Sequence, residues 1–434
     1  MSASTDPTDS SNHPDRPSFD VAIIGAGAAG LATAIFTRRL NSHVRVALVD
    51  GARSPGAKIL VSGGSRCNVT NVEVTEADFS GGRPAIVRRV LRALPVPQTL
   101  RFFQEIGVPL HEEPGGKLFP DSNRARDVLD GLMADARRAG VELRFGQRVT
   151  NICRVDSHFI VTTPGGDFTA RAIVIATGGL SLPKTGSDGA GYEFARSFGH
   201  TIVPTTPALV PLVLDSQAGD VHRQLSGVAL PVRLDVRVDD AIAARVAGSL
   251  LWTHFGVSGP AALDASRHWL RARRDGRGAG LTMSLAPAQR FEELDATFVE
   301  AGRTHPRAAV QRLLAKTVPA SVASAILQVS GVPETRVLAD WSRDERRLIL
   351  HRMLEWPLHV LDSRGYNYAE VTAGGVALTE IDPATMQSRK CDGLYLIGEV
   401  LDVDGRIGGF NFQWAWSSAR VAAAALASTL DAPE

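Results

Sequence analysis

The first organised run of apolar positions is Phe19-Asp20-Val21-Ala22-Ile23-Ile24, short and nearly continuous, which predicts a buried strand. An alanine-rich helical stretch follows to Leu40, and Val44 to Val49 reads as a second strand ending at Asp50. The same buried-strand pattern returns at Arg171 to Ile175 and at Gly393 to Ile397. From about Thr205 to Pro357 the pattern changes. Ala208 to Asp215 and Val228 to Val238 alternate like half-buried strands, and Gly280 to Leu285 is a third. Ala288 to Trp356 reads helical, with turns at Thr304-His305-Pro306 and Gly331-Val332-Pro333. Strands then resume, so an α/β domain is split in sequence by a β-rich insertion carrying a helical unit.

Between the first strand and helix lies Gly25-Ala26-Gly27-Ala28-Ala29-Gly30, with Asp50 twenty residues beyond Gly30. This is the dinucleotide fingerprint in its proper strand–turn–helix setting. The first glycine permits the turn, the second lets a pyrophosphate approach the backbone, and the third lets helix and strand pack closely. A diphosphate would sit on the helix N-terminus and Asp50 would accept from ribose hydroxyls. Two later segments favour FAD over NAD. One strand ends in Ala176-Thr177-Gly178-Gly179. Another ends in Gly398-Glu399 and is followed by Gly408-Gly409-Phe410-Asn411 opening a helix, which would stabilise negative charge on a reduced flavin. No second fingerprint appears: Gly276 to Gly280 precedes a strand, and Asp188-Gly189-Ala190-Gly191 lacks the distal acid.

Composition narrows the class. The chain has 434 residues, 44% hydrophobic, with a net charge of +1. Only five basic residues are lysines (Lys58, Lys117, Lys184, Lys316, Lys390), and 46 acidic residues balance the rest, which disfavours a strongly basic nucleic-acid binder. Cys67, Cys153 and Cys391 form no metal or disulfide spacing, which suits a reducing, cytoplasmic setting. The most apolar stretch, Val21 to Phe36, is shorter than the ~20 residues a membrane span needs. Met1 to Ser18 has neither a basic start nor an apolar run, and is expected to be a disordered tail rather than a secretory signal.

Specific motifs then appear: Gly56-Ala57-Lys58-Ile59-Leu60-Val61-Ser62-Gly63-Gly64-Ser65-Arg66-Cys67-Asn68, Leu118-Phe119-Pro120, Pro183-Lys184-Thr185-Gly186-Ser187, Thr253-His254-Phe255-Gly256-Val257-Ser258-Gly259-Pro260, Thr372-Ala373-Gly374-Gly375-Val376, and Gly398 to Gly405 with Gly408 to Ala415. Together they resemble the BaiN/RdsA family of NAD(P)/FAD-dependent oxidoreductases, also described as aminoacetone-oxidase-like flavoproteins, over roughly Asp20 to Ala425. The resemblance implies a two-dinucleotide-binding-domain FAD fold of Rossmann type, with an inserted β-barrel-like domain and a helical subdomain. The expected boundaries are 1–18 for the tail, 19–204 for the first part of the FAD domain, 205–287 for the β-rich insert, 288–357 for the helical subdomain and 358–434 for the return. The family usually has glycine where this chain has Ser65, and a side chain there would narrow the approach to a flavin.

The expected cofactor contacts are Gly25, Gly27, Ala28, Ala29, Gly30, Asp50, Lys58, Ser62, Gly63, Gly64, Val149, Thr177, Gly178, Gly375, Gly398, Glu399, Gly409, Phe410 and Asn411. They would hold FAD non-covalently, with no metal. The resemblance implies reduction of an activated C=C bond by hydride transfer from flavin N5, with NAD(P)H as donor. The acceptor is either a small molecule, such as a steroid-like enone, or a uridine of large-subunit ribosomal RNA. A non-catalytic flavin-binding role fits the flavin-approaching loops less well.

Such chemistry needs one general acid. His254 and Cys67 are the candidates, with Tyr366 and Tyr368 behind them. The blander readings are a histidine bonding the barrel backbone and a small buried cysteine. Arg267, Arg271, Arg273, Arg274 and Arg277, interleaved with Trp269, would form an RNA-binding patch or simply a solvated helix face.

Overall fold

The computed structural model describes residues 18–215 and 221–430. The expected tail lies outside the described residues except for Ser18, which opens the first strand. Strand β1 (Ser18–Ile24) pairs in parallel with β2 (Val46–Asp50) on one side and with Phe168–Ile175 on the other. Glu142–Phe145 and Leu394–Leu396 extend the parallel part of the sheet, and His158–Thr162 and Asn151–Val155 add an antiparallel flank. Both faces are covered, which is why the central strands are apolar runs rather than alternations: Val21, Ala22 and Ile23 are all fully buried.

Helix α1 (Ala28–Leu40) follows the fingerprint and is buried from Ala29 to Thr37, packed against the 20-residue helix Phe410–Thr429. Small residues on both helices permit that contact. The chain leaves this region along Ile202–Ala208 and returns along Val371–Val376, two strands paired antiparallel. The expected boundary at 204/205 lies inside the outgoing strand.

The insertion forms a seven-stranded antiparallel sheet. Its two outermost strands, Trp356–Leu358 and Val360–Ser363, are separated by one residue, so the sheet must curl round on itself. Its longest strand, Ala241–Thr253, was not anticipated. The run Ala241-Ile242-Ala243-Ala244 has little β propensity, and pairing with Ala229–Val238 along its length decides its conformation. Helix Gly259–Arg274 crosses this sheet, with Ser258 as N-cap and Pro260 in its first turn. Helices Phe291–Thr304, Val310–Leu314, Ala320–Val329 and Arg343–Leu354 occupy the stretch expected to be helical. Trp252, Trp269, Trp341 and Trp356 belong to this region's own apolar core, separate from that of the parallel sheet.

Candidate active site

A cavity of about 500 Å³ opens at the C-terminal ends of the parallel strands. Its position follows the rule for open α/β sheets, where ligands bind beyond the carboxyl ends of the strands. At one end the fingerprint builds the wall. Gly25 has φ +104, and a Cβ there would lie 2.6 Å from the Ala176 carbonyl oxygen. A Cβ at Gly30 would come within 1.9 Å of the Gly25 carbonyl oxygen. At Gly27, the N-cap of α1, a Cβ would meet no protein atom within 4 Å and would project into the cavity. That is the cradle a diphosphate fills at a helix N-terminus.

Asp50 closes the same end. Its Oδ2 accepts from the Ala26 N–H and its Oδ1 from the Ala52 N–H, each at 2.7 Å, leaving lone pairs for ribose hydroxyls. Thr177 and Ser187 line the wall, but their hydroxyl oxygens are buried away from it, close to Gly191 and Gly178, without a hydrogen-bond partner among the described residues. A cradle and a fixed carboxylate fit the adenosine diphosphate part of FAD.

The other end is made of charged side chains. Lys58, on α2 (Ala57–Ser65), donates to Ser181 Oγ at 2.5 Å and forms an ion pair with Glu399 Oε2. The second oxygen of Glu399 accepts from Ser181 Oγ at 2.8 Å and from the Thr372 N–H at 2.9 Å. Four segments far apart in sequence thus converge on one network. Lys117, Glu370 and Arg406 line the cavity beside it. Glu370 is an exposed residue of the cavity wall, and its carboxyl makes no hydrogen bond or ion pair among the described residues. Partial desolvation by the protein around the carboxyl, and then the nearby Asp264 carboxyl, push its pKa above the ordinary carboxylate value, against the pull of Lys58 and Lys117. Asp264 is itself raised by burial and accepts from the Ile407 N–H at 2.8 Å.

Of the expected cofactor residues, Gly25, Gly27, Ala28, Ala29, Asp50, Lys58, Ser62, Gly63, Gly64, Val149, Thr177, Gly178, Glu399, Gly409 and Asn411 line this cavity. Gly30, Gly375, Gly398 and Phe410 are not in its wall. A Cβ at Gly375 would lie 2.6 Å from the Val400 carbonyl oxygen and one at Gly398 would lie 2.9 Å from Ala29 Cβ, so these glycines serve close packing. Phe410 is fully buried against Phe79. Asn411 lies in the wall, but its amide is spent on both backbone groups of Gly405.

The proposed acids are displaced. Cys67 is fully buried outside the cavity wall, and burial pushes its thiol up to about 12 despite a hydrogen bond with Ser62. His254 sits on an exposed turn of the insert, also outside the wall. Ser65 does not narrow the approach, because its side chain is exposed and absent from the cavity wall. Its φ of +66 gives a conformational reason for glycine there. The arginine cluster is not an open patch. Arg267 and Arg271 bond the buried Asp404, Arg273 lies over Trp269, Arg274 pairs with Asp275, and Arg277 pairs with Asp239. Trp269 is itself buried. Sequence reasoning missed Glu370 and Lys117. A carboxylate two residues before the Thr372 motif and a lysine in a chain with only five were the available signals.

Residues 19–425 match the HI0933-like protein Rossmann domain. The chain belongs to that family. The ribosomal RNA dihydrouridine synthase of Escherichia coli K12 is 34% identical across 92% of this chain and 96% of its own length. The 3-dehydro-bile acid delta(4,6)-reductase of Clostridium scindens is 32% identical across 94% of this chain and 98% of its own. The solved structure of E. coli quinol fumarate reductase aligns with 96% of this chain and 72% of its own at a TM-score of 0.50 and 16% identity, a likeness of fold alone. This HI0933-like chain is an oxidoreductase of the FAD-binding Rossmann class. Among the described residues no helix is long and apolar enough to cross a membrane, and no group of three or more His, Cys, Asp or Glu is placed to hold a metal.

Proposed function

We propose that the chain reduces a carbon–carbon double bond conjugated to a carbonyl, with NAD(P)H as the electron source. The observation that carries this reading is Glu370, an unpartnered carboxyl with a raised pKa in the same cavity as the dinucleotide cradle. The two relatives act on acceptors that share this chemistry, since a uracil ring and a 3-dehydro bile acid each set an alkene beside a carbonyl. FAD, when bound and reduced, supplies the hydride for the electron-poor alkene carbon.

The protein's own residues do the rest. Gly27 and the N-terminus of α1 hold the diphosphate, and Asp50 holds the ribose. Lys58, fixed by Glu399 and Ser181, sets positive charge at the reacting end. Glu370 donates its carboxyl proton to the carbon next to the substrate carbonyl and regains one from water through the open cavity. The raised pKa favours the protonated, proton-donating form more than in an ordinary carboxylate.

Anaerobic stopped flow tests the reading. NADH or NADPH should bleach the FAD absorbance, and an enone steroid or a uridine-containing RNA should restore it. Only one dinucleotide fold is present among the described residues, so donor and acceptor take turns at the flavin. Initial rates should therefore give parallel double-reciprocal lines. Bleached protein that only oxygen restores would overturn the reading. Loss of one dihydrouridine from the ribosomal RNA of a deletion strain would select RNA as the acceptor.

A further inference from the structure

Beside the cavity mouth, three side chains are stacked on the protein surface. The Arg364 guanidinium carbon lies 3.5 Å from the Tyr368 ring centre and 4.6 Å from that of Phe255, so the cationic group lies over both aromatic rings. His254 continues the row, meeting Phe255 edge-on at 5.1 Å. Tyr368 is 50% exposed and His254 is exposed. Arg364 makes no ion pair among the described residues.

The row is held rigidly at the entrance. The Arg364 N–H donates to the Pro211 carbonyl at 3.0 Å, and the Leu182 N–H donates to the Tyr366 carbonyl at 2.9 Å. The Tyr366 hydroxyl donates to Thr205 Oγ1 at 3.0 Å. Leu182, bonded to the turn Tyr366–Tyr368, and Glu370, two residues beyond it in sequence, both line the cavity. The neighbouring turn Pro183–Thr185 carries Lys184, exposed and without an ion pair among the described residues.

We propose that Tyr368, Arg364, Phe255 and His254 form a stacking platform for single-stranded RNA, gripping nucleotides next to the one whose base enters the cavity. Exposed aromatic faces such as that of Tyr368 stack any base, while Arg364 and Lys184 offer cations to the backbone phosphates. A base can reach Glu370 only if it is unstacked from its neighbours, and a surface that restacks those neighbours offsets the cost. A steroid would instead call for a dry, enclosed wall, whereas this surface is open and cationic. The proposal rests on reading the cavity as a site for a conjugated alkene, and adds the polymer that carries it.

The test is fluorescence anisotropy with FAD-loaded enzyme and a labelled oligouridylate of about eight nucleotides, within the usual site size for such surfaces. A duplex of the same length serves as comparison. The single strand should bind more tightly than the duplex, and its affinity should fall as salt rises from about 50 to 200 mM. Tyr368→Ala and Arg364→Ala should each weaken it about 5- to 100-fold. Arg364→Lys should weaken it nearly as much as Arg364→Ala, because charge without a plane cannot stack. Flavin content and the rate of flavin reduction by NAD(P)H should stay unchanged in all three variants. No binding by the unaltered enzyme up to about 100 µM, or binding indifferent to both alanine substitutions, would overturn the platform. So would full rescue by Arg364→Lys, or equal affinity for the duplex. Each of these leaves the alkene reading standing, which falls only if reduced flavin is never reoxidised by any conjugated alkene.

Discussion

The two ends of the cavity are built from different materials. The fingerprint end uses Gly25, Gly27 and Gly30, backbone N–H groups and one carboxylate, all drawn from a single stretch of about thirty residues between β1 and β2. The reacting end uses the side chains of Lys58, Lys117, Ser181, Glu370, Glu399 and Arg406, each from a different segment. Holding a diphosphate is a backbone task, met by conformation and close approach. Placing a proton and a charge against an alkene is a side-chain task, and it needs distant segments brought together. The first end therefore tolerates little change in backbone, and the second little change in chemistry.

The largest effect should come from Glu370→Gln. Flavin reduction by NAD(P)H should be nearly untouched while reoxidation by the alkene slows about 10²–10⁴-fold, the usual contribution of a general acid. In the unaltered enzyme only the protonated carboxyl can donate. The oxidative step should therefore decline as pH rises through the raised pKa of Glu370, and in Glu370→Gln that decline should vanish. Equal slowing of both half-reactions would show that the two ends are not chemically separate.

Asp404→Asn comes next. Asp404 is fully buried and receives Arg267 and Arg271 from the insert's helix, so the ion pairs join that helix to the strand leading into Arg406 and Ile407. Removing its charge leaves a buried cation unpaired, and urea unfolding should show a loss of about 3–5 kcal/mol. A loss below 1 kcal/mol would mean that the reacting end is not anchored there.

Asp50→Ala should weaken FAD binding by about 1–3 kcal/mol, read by isothermal titration of the apoprotein. The substitution removes the ribose acceptor and also the bonds that hold Ala26 and Ala52. An unchanged affinity would break the assignment of the fingerprint end. The smallest effect should follow Ser65→Gly. Relief of a left-handed serine, worth about 1–2 kcal/mol, is partly offset by about 0.5–1 kcal/mol of extra chain entropy in the unfolded state. The net gain, up to about 1.5 kcal/mol, should appear as a higher Tm, with substrate KM unchanged because Ser65 is outside the cavity wall.

Much of the fingerprint end was legible because its signals are local. The turn, the glycines and Asp50 fall at spacings set by one strand, one helix and one more strand, and the structure puts Gly27 and Asp50 on the cavity wall. Gly375 and Gly398 lie outside the cavity wall, and a glycine needed for packing looks the same in sequence as one needed for a ligand. Cys67 and His254 suit an acid by chemical type alone, and type says nothing of depth: the thiol is sealed in the core and the imidazole stands on an outer turn. The arginines of helix Gly259–Arg274 read as a patch because sequence shows charges and not their counter-charges, and Asp404 lies more than a hundred residues away.

By itself, then, the sequence determined the parallel sheet, the dinucleotide turn and the family, since each rests on periodicity or on residues close together in the chain. Only the tertiary structure decided which carboxyl faces the reacting space and what its surroundings do to its proton. Glu370 is one of 46 acidic residues until Lys58, Lys117 and Asp264 are gathered around it. The perturbation arises from desolvation and from charges on separate segments, and neither exists before the chain has folded.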